Sequence, residues 1–252
     1  MGTDRKLFRI TGTEARDFLQ GLISNDITRA KDGLVYAALL SPQGKYLADF
    51  FLWDRGDHIL LDADAAQAPS LIQRLSMYKL RADVTIEESD LTVGRGLTNA
   101  PDGAMPDPRH PALGWRHYAP DARDIPGIDW DAIRTEHCVP QAGVELIPND
   151  TYILEAGFER LAGVDFKKGC YVGQEVTARM KHKTELRKGL ARVSVAGAAP
   201  VGTQIEKDGK TAGTLYTQAG GRGIAYLRFD RAVGEMQAGD ATVTRIVPAS
   251  SG

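Results

Sequence analysis

An α+β fold ending in a small β-barrel is what this sequence predicts, and three patterns predict it. Residues 5–98 alternate strand and helix patterns, and the turn "SPQG" separates two apolar strand runs. Residues 99–127 hold Pro101, Pro106, Pro108, Pro111, Pro120 and Pro126, half of the 12 prolines, which marks a loop-rich connection. Beyond Lys188, short strand patterns alternate with Gly-rich turns such as "KDGK" and "QAGGRG", as in a barrel of about 60 residues. Three domains are expected: 1–98, 99–188 and 189–249, the first two open to interleaving.

"KLFRI" opens the chain as a short strand. In "TGTEARDFLQGLI", Ala15, Phe18, Leu19 and Leu22 fall at i, i+3, i+4 and i+7, an apolar helix stripe with Thr13 as its expected N-cap. "SNDIT" breaks that helix. "GLVYAALL" and "KYLADFFLW" read as a hairpin, and "DHILLDA" as a third strand. A helix over 67–79 carries Leu71, Leu75 and Tyr78 on one side, with Pro69 tolerated in its first turn. "ADVTIEE" closes the unit as a strand; antiparallel strands with helices on one face are expected. The Pro-rich stretch is expected to hold one short strand around "ALGWRHY", followed by a short helix, "WDAIRTEHC". "GLARVSV", "TQIEKDGKTAGTLYTQ", "GRGIAYLRF" and "DATVTRIV" supply the barrel strands.

Composition excludes several function classes. The 252 residues carry 31 basic and 33 acidic side chains, so the molecule as a whole does not attract polyanions. Cys138 and Cys170 cannot form a disulfide framework, and no Cys/His spacing supplies a complete zinc site. "VYAALL" and "FFLW" are too short to span a bilayer, and "MGTDRKLFRITG" lacks a signal-type apolar run. The expected location is the cytoplasm, without membrane attachment.

The richest chemistry lies in "DFKKGCYVGQEVTARMKHK". A helix from Gly173 to about Lys181 places Val172, Val176 and Met180 on one face, and Glu175 can pair with Arg179 at i, i+4. Cys170 lies just ahead of that helix, where free N–H groups and the macrodipole favour an anion, and Lys167 and Lys168 add positive charge. A thiolate suits that setting as nucleophile or metal ligand; a cysteine pointing inward would instead be a small core residue. Lys167, Lys168, Arg179, Lys181, Lys183, Arg187, Lys188 and Arg192 make the stretch locally basic. It is a solvated face or a dock for an acidic partner or ligand tail. No base-stacking array or RNA module accompanies it, so direct nucleic-acid binding is not expected.

"GVDFKKGCYVGQEVTARMKHK" resembles the KGCYxGQE signature of the folate-binding YgfZ family, implicated in iron–sulfur cluster maturation and, through client enzymes, in tRNA modification. With "LEAGFERLAGVDF" before it and "TARMKH" after it, the segment is most similar to the mitochondrial-type members. "ITGTEARDFLQGLISNDI" and "LLSPQGKYLADFFLW" resemble the family's opening segment. The resemblance implies the fold of the glycine cleavage system aminomethyltransferase, a multi-domain ring around a folate cavity, with tetrahydrofolate or a derivative as cofactor. It implies that Glu155 accepts hydrogen bonds from the pterin. Asn25, Asp26, Tyr36, Tyr171, Gln174, Glu175 and Arg179 are its further candidates for ligand contacts, and Cys170, Lys168 and Asp49 for chemistry. Where the transferase commonly has two adjacent acids, this chain has Ala48 and Asp49; Ile153 and Gly157 replace a common proline and asparagine beside Glu155.

Two readings lead, ahead of a third in which the chain is a basic docking module with a vestigial cavity. In the first, the protein is an accessory factor that binds a reduced folate and uses Cys170 in cluster assembly or repair. One cysteine cannot hold a cluster that needs about four ligands, so a cluster at Cys170 is shared with a partner such as an A-type scaffold protein, on its way to client enzymes. In the second, it is a tetrahydrofolate-dependent aminomethyltransferase or related one-carbon transferase working through Asp49 and Glu155.

Overall fold

The computed structural model describes residues 5–182 and 185–247. They form two compact units, each discontinuous in sequence. The first runs to Ile128 and adds Pro148–Ile153 and Phe158–Arg179. The second takes Asp129–Ile147, Leu154–Gly157 and the chain from Met180 onward. The segment 99–188, expected as one domain, is thus distributed over both.

In the first unit, β1 (Arg5–Thr11), α1 (Ala15–Gln20), β2 (Val35–Leu40), β3 (Tyr46–Asp54), β4 (Ile59–Asp64), α2 (Ala68–Lys79) and β5 (Thr85–Glu88) build a five-stranded sheet of order β2-β3-β4-β1-β5. Every pairing in it is antiparallel. Because side chains alternate across a strand, Phe50, Leu52, Ile59 and Leu61 share one core with Leu19, Leu71 and Leu75 of the helices. On the opposite face, Leu7 and Leu60 pack with Tyr118. That second face is covered by β6 (Thr92–Gly96), β7 (Met105–Pro106) and β8 (Trp115–Ala119), a small sheet of order β6-β8-β7. The Pro-rich connection therefore holds two strands, where one was expected. This also explains why β2, β3 and β4 read as continuous apolar runs.

α1 is shorter than its apolar stripe. Thr13, the expected N-cap, instead donates from its N–H and Oγ1 to Asp83 Oδ2 at 2.9 and 2.7 Å, and Glu14 holds the cap position. Two further helices follow, α3 (Trp130–His137) and α4 (Gln174–His182). No helix of the described residues is long and apolar enough to cross a membrane.

The second unit is built on a closed barrel of β9 (Lys188–Ala196), β10 (Thr203–Lys207), β11 (Lys210–Ala219), β12 (Arg222–Arg228), β13 (Glu235–Ala238) and β14 (Ala241–Arg245). Val193, Ile205, Leu215, Leu227, Met236 and Val243 fill its interior. α3 packs on β11 and β12. Beside it, the buried carboxylate of Glu145 accepts from Gln141 N, Thr217 N and Thr217 Oγ1, and pairs with Arg134 at 3.2 Å.

Candidate functional site

Cys170 is an exposed free thiol, and Cys138 is buried. The loop carrying Cys170 is fixed by the residues before it. The carboxylate of Asp165 accepts from Lys167 N at 2.6 Å and Lys168 N at 3.2 Å, and its other oxygen pairs with Arg29 at 2.5 Å. Lys168, expected to act on the thiol, is buried, and its ammonium donates to the carbonyls of Gln20 and Ile23, both at 2.6 Å. Burial lowers its pKa to about 8, opposed by Asp26 and Asp165. Tyr171 is buried beside it, with the Lys168 ammonium 5.1 Å from the ring centre, and burial raises its phenol to about 12. Gln174 opens α4 with its N–H on the carbonyl of Tyr171, and Glu175 and Arg179 are exposed on that helix. Of the locally basic stretch, Lys183 lies outside the described residues.

Asn25, expected at a ligand, is buried and saturated. Its amide donates to the carbonyls of Tyr36 at 2.8 Å and Ala162 at 2.7 Å, and its oxygen accepts from Asp26 N. Asp26 caps a short 3₁₀ turn over Ile27–Lys31. Against the upward pull of burial, hydrogen bonds from Thr28 and Gln20 and the charge of Arg29 hold its carboxyl below the usual range. Tyr36, expected to stack on a bound ring, instead stacks on Phe158 with centroids 5.0 Å apart, and Phe51 and the Arg109 guanidinium also lie against the ring. Its side chain has no exposed surface.

The Tyr36 hydroxyl donates to Asp49 Oδ2 at 3.0 Å and that of Tyr46 to Asp49 Oδ1 at 2.5 Å. Both oxygens of this buried carboxylate are therefore engaged. Tyr46 Oη also lies 2.8 Å from the Gln67 side-chain amide. A phenol carries one proton, so that contact calls for the amide to present its NH₂. Burial first, and then the Asp49 charge, push both phenols well above the ordinary tyrosine value.

Next to this group lies a buried ion network that sequence reasoning missed. Arg116 pairs with Asp62 at 2.5 Å and with Asp107 at 3.5 Å; Arg5 also pairs with Asp62, and Arg109 with Asp107. Tyr118 donates to Asp62 at 2.9 Å. Asp107 and Arg109 come from the Pro-rich stretch. The one available signal was their i, i+2 spacing, which lets Asp107 take both the N–H and the Nε of Arg109.

In the second unit, Glu155 borders a cleft of about 970 Å³ together with Met180, Glu185, Leu186, Arg187, Lys188 and Arg228. That size is within the range of small-molecule sites. The carboxylate accepts from Tyr226 Oη at 2.6 Å, and Lys188 Nζ stands 3.9 Å from its other oxygen. A carboxylate offers about four acceptor positions, so Glu155 retains capacity for donors on a ligand. Along the lining, Arg187, Lys188 and Arg228 outnumber Glu155 and Glu185, which suits an anionic group on the same ligand. Arg187, Arg228 and Tyr226 were not among the residues expected from sequence.

Residues 187–251 match the family model described as the CAF17 C-terminal beta-barrel domain. The chain is 32% identical over 232 residues to a Mycosarcoma maydis protein named "Iron-sulfur cluster assembly factor IBA57 homolog, mitochondrial", covering 78% of this chain and 57% of that protein. It thus spans little more than half of that relative's length. The Homo sapiens protein named "Iron-sulfur cluster assembly factor IBA57, mitochondrial" is 29% identical over 276 residues, covering 92% of this chain and 78% of its own. A solved structure, the glycine cleavage system aminomethyltransferase T of Bartonella henselae, superposes with a TM-score of 0.77 at 15% identity, over 96% of this chain and 82% of its own. The fold is therefore aminomethyltransferase-like, α+β with a terminal closed barrel, as expected from sequence. The homologues carry the name of iron–sulfur cluster assembly factors. They also carry the word mitochondrial, which overturns the expected cytoplasmic location.

Proposed function

We propose that this chain is an iron–sulfur cluster assembly factor of the IBA57 kind that handles its cargo through Cys170. The observation that carries this reading is the exposed thiol of Cys170 on a hydrogen-bonded loop, set in a chain whose homologues bear that name. Among the described residues no three His, Cys, Asp or Glu side chains gather as a metal site, and a cluster needs about four ligands. The cluster is therefore cargo shared across an interface, with Cys170 giving one thiolate and an A-type scaffold protein the others, before delivery to client enzymes.

A reduced folate fits the cleft at Glu155. The carboxylate has free acceptor positions for the amino group and ring N–H of a pterin, and Arg187, Lys188 and Arg228 offer charge for the glutamate tail. A folate bound there would supply one-carbon chemistry. The residues of this chain bind and orient it: Glu155 reads the donors, and Tyr226 holds the carboxylate in place.

Anaerobic reconstitution with an A-type scaffold tests the cluster role. Wild-type protein is expected to give the absorption of a cluster-bridged complex. Cys170→Ser is expected to fold and bind folate but to lose that absorption and the support of client enzymes. Full support of clients by Cys170→Ser would end the reading.

The transferase reading rests on the shared fold and on Asp49 held between two tyrosines. Turnover of an aminomethyl donor with tetrahydrofolate, abolished in Asp49→Asn, would favour it.

A further inference from the structure

The loop from Lys168 to Gly173 is clamped at both ends. At its entry, Lys168 Nζ commits two of its three N–H bonds to Gln20 O and Ile23 O, at and just beyond the end of α1, where helix carbonyls lack partners of their own. Four more links join the same two stretches of chain. Ser24 Oγ donates to Gly163 O at 2.6 Å, Asn25 Nδ2 to Ala162 O at 2.7 Å and Asp165 N to Ser24 O at 3.0 Å, while Arg29 pairs with Asp165. At its exit, the backbone of Gly173 presses on the hairpin turn between β2 and β3. With φ at +83°, a Cβ there would fall 2.5 Å from Ser41 O. Gly44 approaches from the other side, where a Cβ would fall 2.7 Å from Val176 Cβ. Between the clamps, Gly169 and Cys170 face outward, and a Cβ on Gly169 would meet nothing within 4 Å.

We propose that Lys168 is a positioning residue: by strapping the loop to the end of α1 it fixes where the Cys170 thiol stands, rather than activating that thiol. The inference rests on the reading that Cys170 is the reacting group, and it assigns the "SND" segment a role as the anchorage of the cysteine loop. An ammonium held by two carbonyls orders the chain next to it, and a reaction that needs fixed geometry loses rate when a group is free to wander.

The test uses the full chain with Lys168→Met, which keeps the length of the side chain and removes its donors, and Arg29→Gln, which removes only the exposed partner of Asp165. Hydrogen exchange over 167–172 is expected to quicken about tenfold or more in Lys168→Met and about threefold in Arg29→Gln. The pH midpoint of Cys170 alkylation by iodoacetamide is expected to match wild type, while cluster delivery by Lys168→Met falls about tenfold or more. Unchanged exchange in both variants overturns the proposal, as does a moved alkylation midpoint with unchanged exchange, which would make Lys168 an activator. If Lys168→Met fails to fold, Lys168→Gln, whose amide keeps N–H donors but shortens the reach to those carbonyls, is read in its place: quickened exchange supports the clamp and wild-type exchange overturns it. A Cys170→Ser protein that supports clients fully would remove the functional reading, yet the exchange result would still judge the clamp.

Discussion

At the scale of single residues, burial separates those that can meet a ligand from those that hold the fold. Cys170 is open, while Asn25 and Tyr36 have every polar group or ring face engaged by the protein itself. All three sat in motif-like surroundings in the sequence. What distinguished them was the long-range partner, Ala162 or Phe158, more than a hundred residues away. Glu155 lies between these extremes, engaged by one phenol and bordering a cleft. Replacing it by Gln keeps an acceptor for Tyr226 and removes the charge. Folate binding is expected to weaken about ten- to a hundredfold, as for loss of a charge-assisted hydrogen bond, with little change in thermal stability; titration calorimetry and a melting curve check both.

At the scale of elements, the sheet of the first unit is covered on both faces, and its second face carries charge. Removing one partner of a buried ion pair leaves the other uncompensated and costs about 3–5 kcal/mol. Arg116→Met leaves Asp62 to Arg5 and Tyr118 and Asp107 to Arg109, so it is expected to lower unfolding stability by the lower end of that range, about 3 kcal/mol, in denaturant titration. The same network sets a pH dependence. Burial alone would raise the carboxyls of Asp62 and Asp107, but their arginines overcome it and hold both below the usual range. The unfolded chain then binds protons that the folded one does not, so stability from these groups is complete above about pH 5, a unit over the unfolded carboxyl, and is lost as pH falls from there through their lower folded values. A denaturant midpoint steady from neutrality to about pH 5 and falling below it is the expected profile.

The elements themselves were largely legible. Period-3.6 spacing located α2, and "SPQG" between apolar runs located the β2–β3 hairpin. The barrel followed from its glycine turns, although β13, four residues long, left too short a pattern to read. β7 was hidden for another reason. It pairs with β8 through two residues only, Met105 and Pro106, and a proline in the pattern argues against a strand. Asp107 and Arg109 were invisible with it, since a loop's destination against a sheet face is not written in local periodicity.

At the scale of the whole molecule, the chain passes from one unit to the other after residues 128, 147, 153, 157 and 179. Buried polar groups show what this requires. Glu145 reaches its second-unit partner Thr217 across 72 positions. A fragment ending at Arg179 would keep Glu145 and Arg134 but lose Thr217 and the barrel strands on which α3 packs. Such a fragment is expected to aggregate or to expose α3 to early proteolysis, whereas the full chain resists; limited digestion followed by mass spectrometry distinguishes the two.

Synthesis on the ribosome adds a constraint of order. By the time the loop bearing Cys170 leaves the exit tunnel, α3 and Glu145 are already outside, waiting for strands not yet made. A stretch that waits is a stretch that chaperones can hold, and the thiol is already exposed to oxidants during that interval.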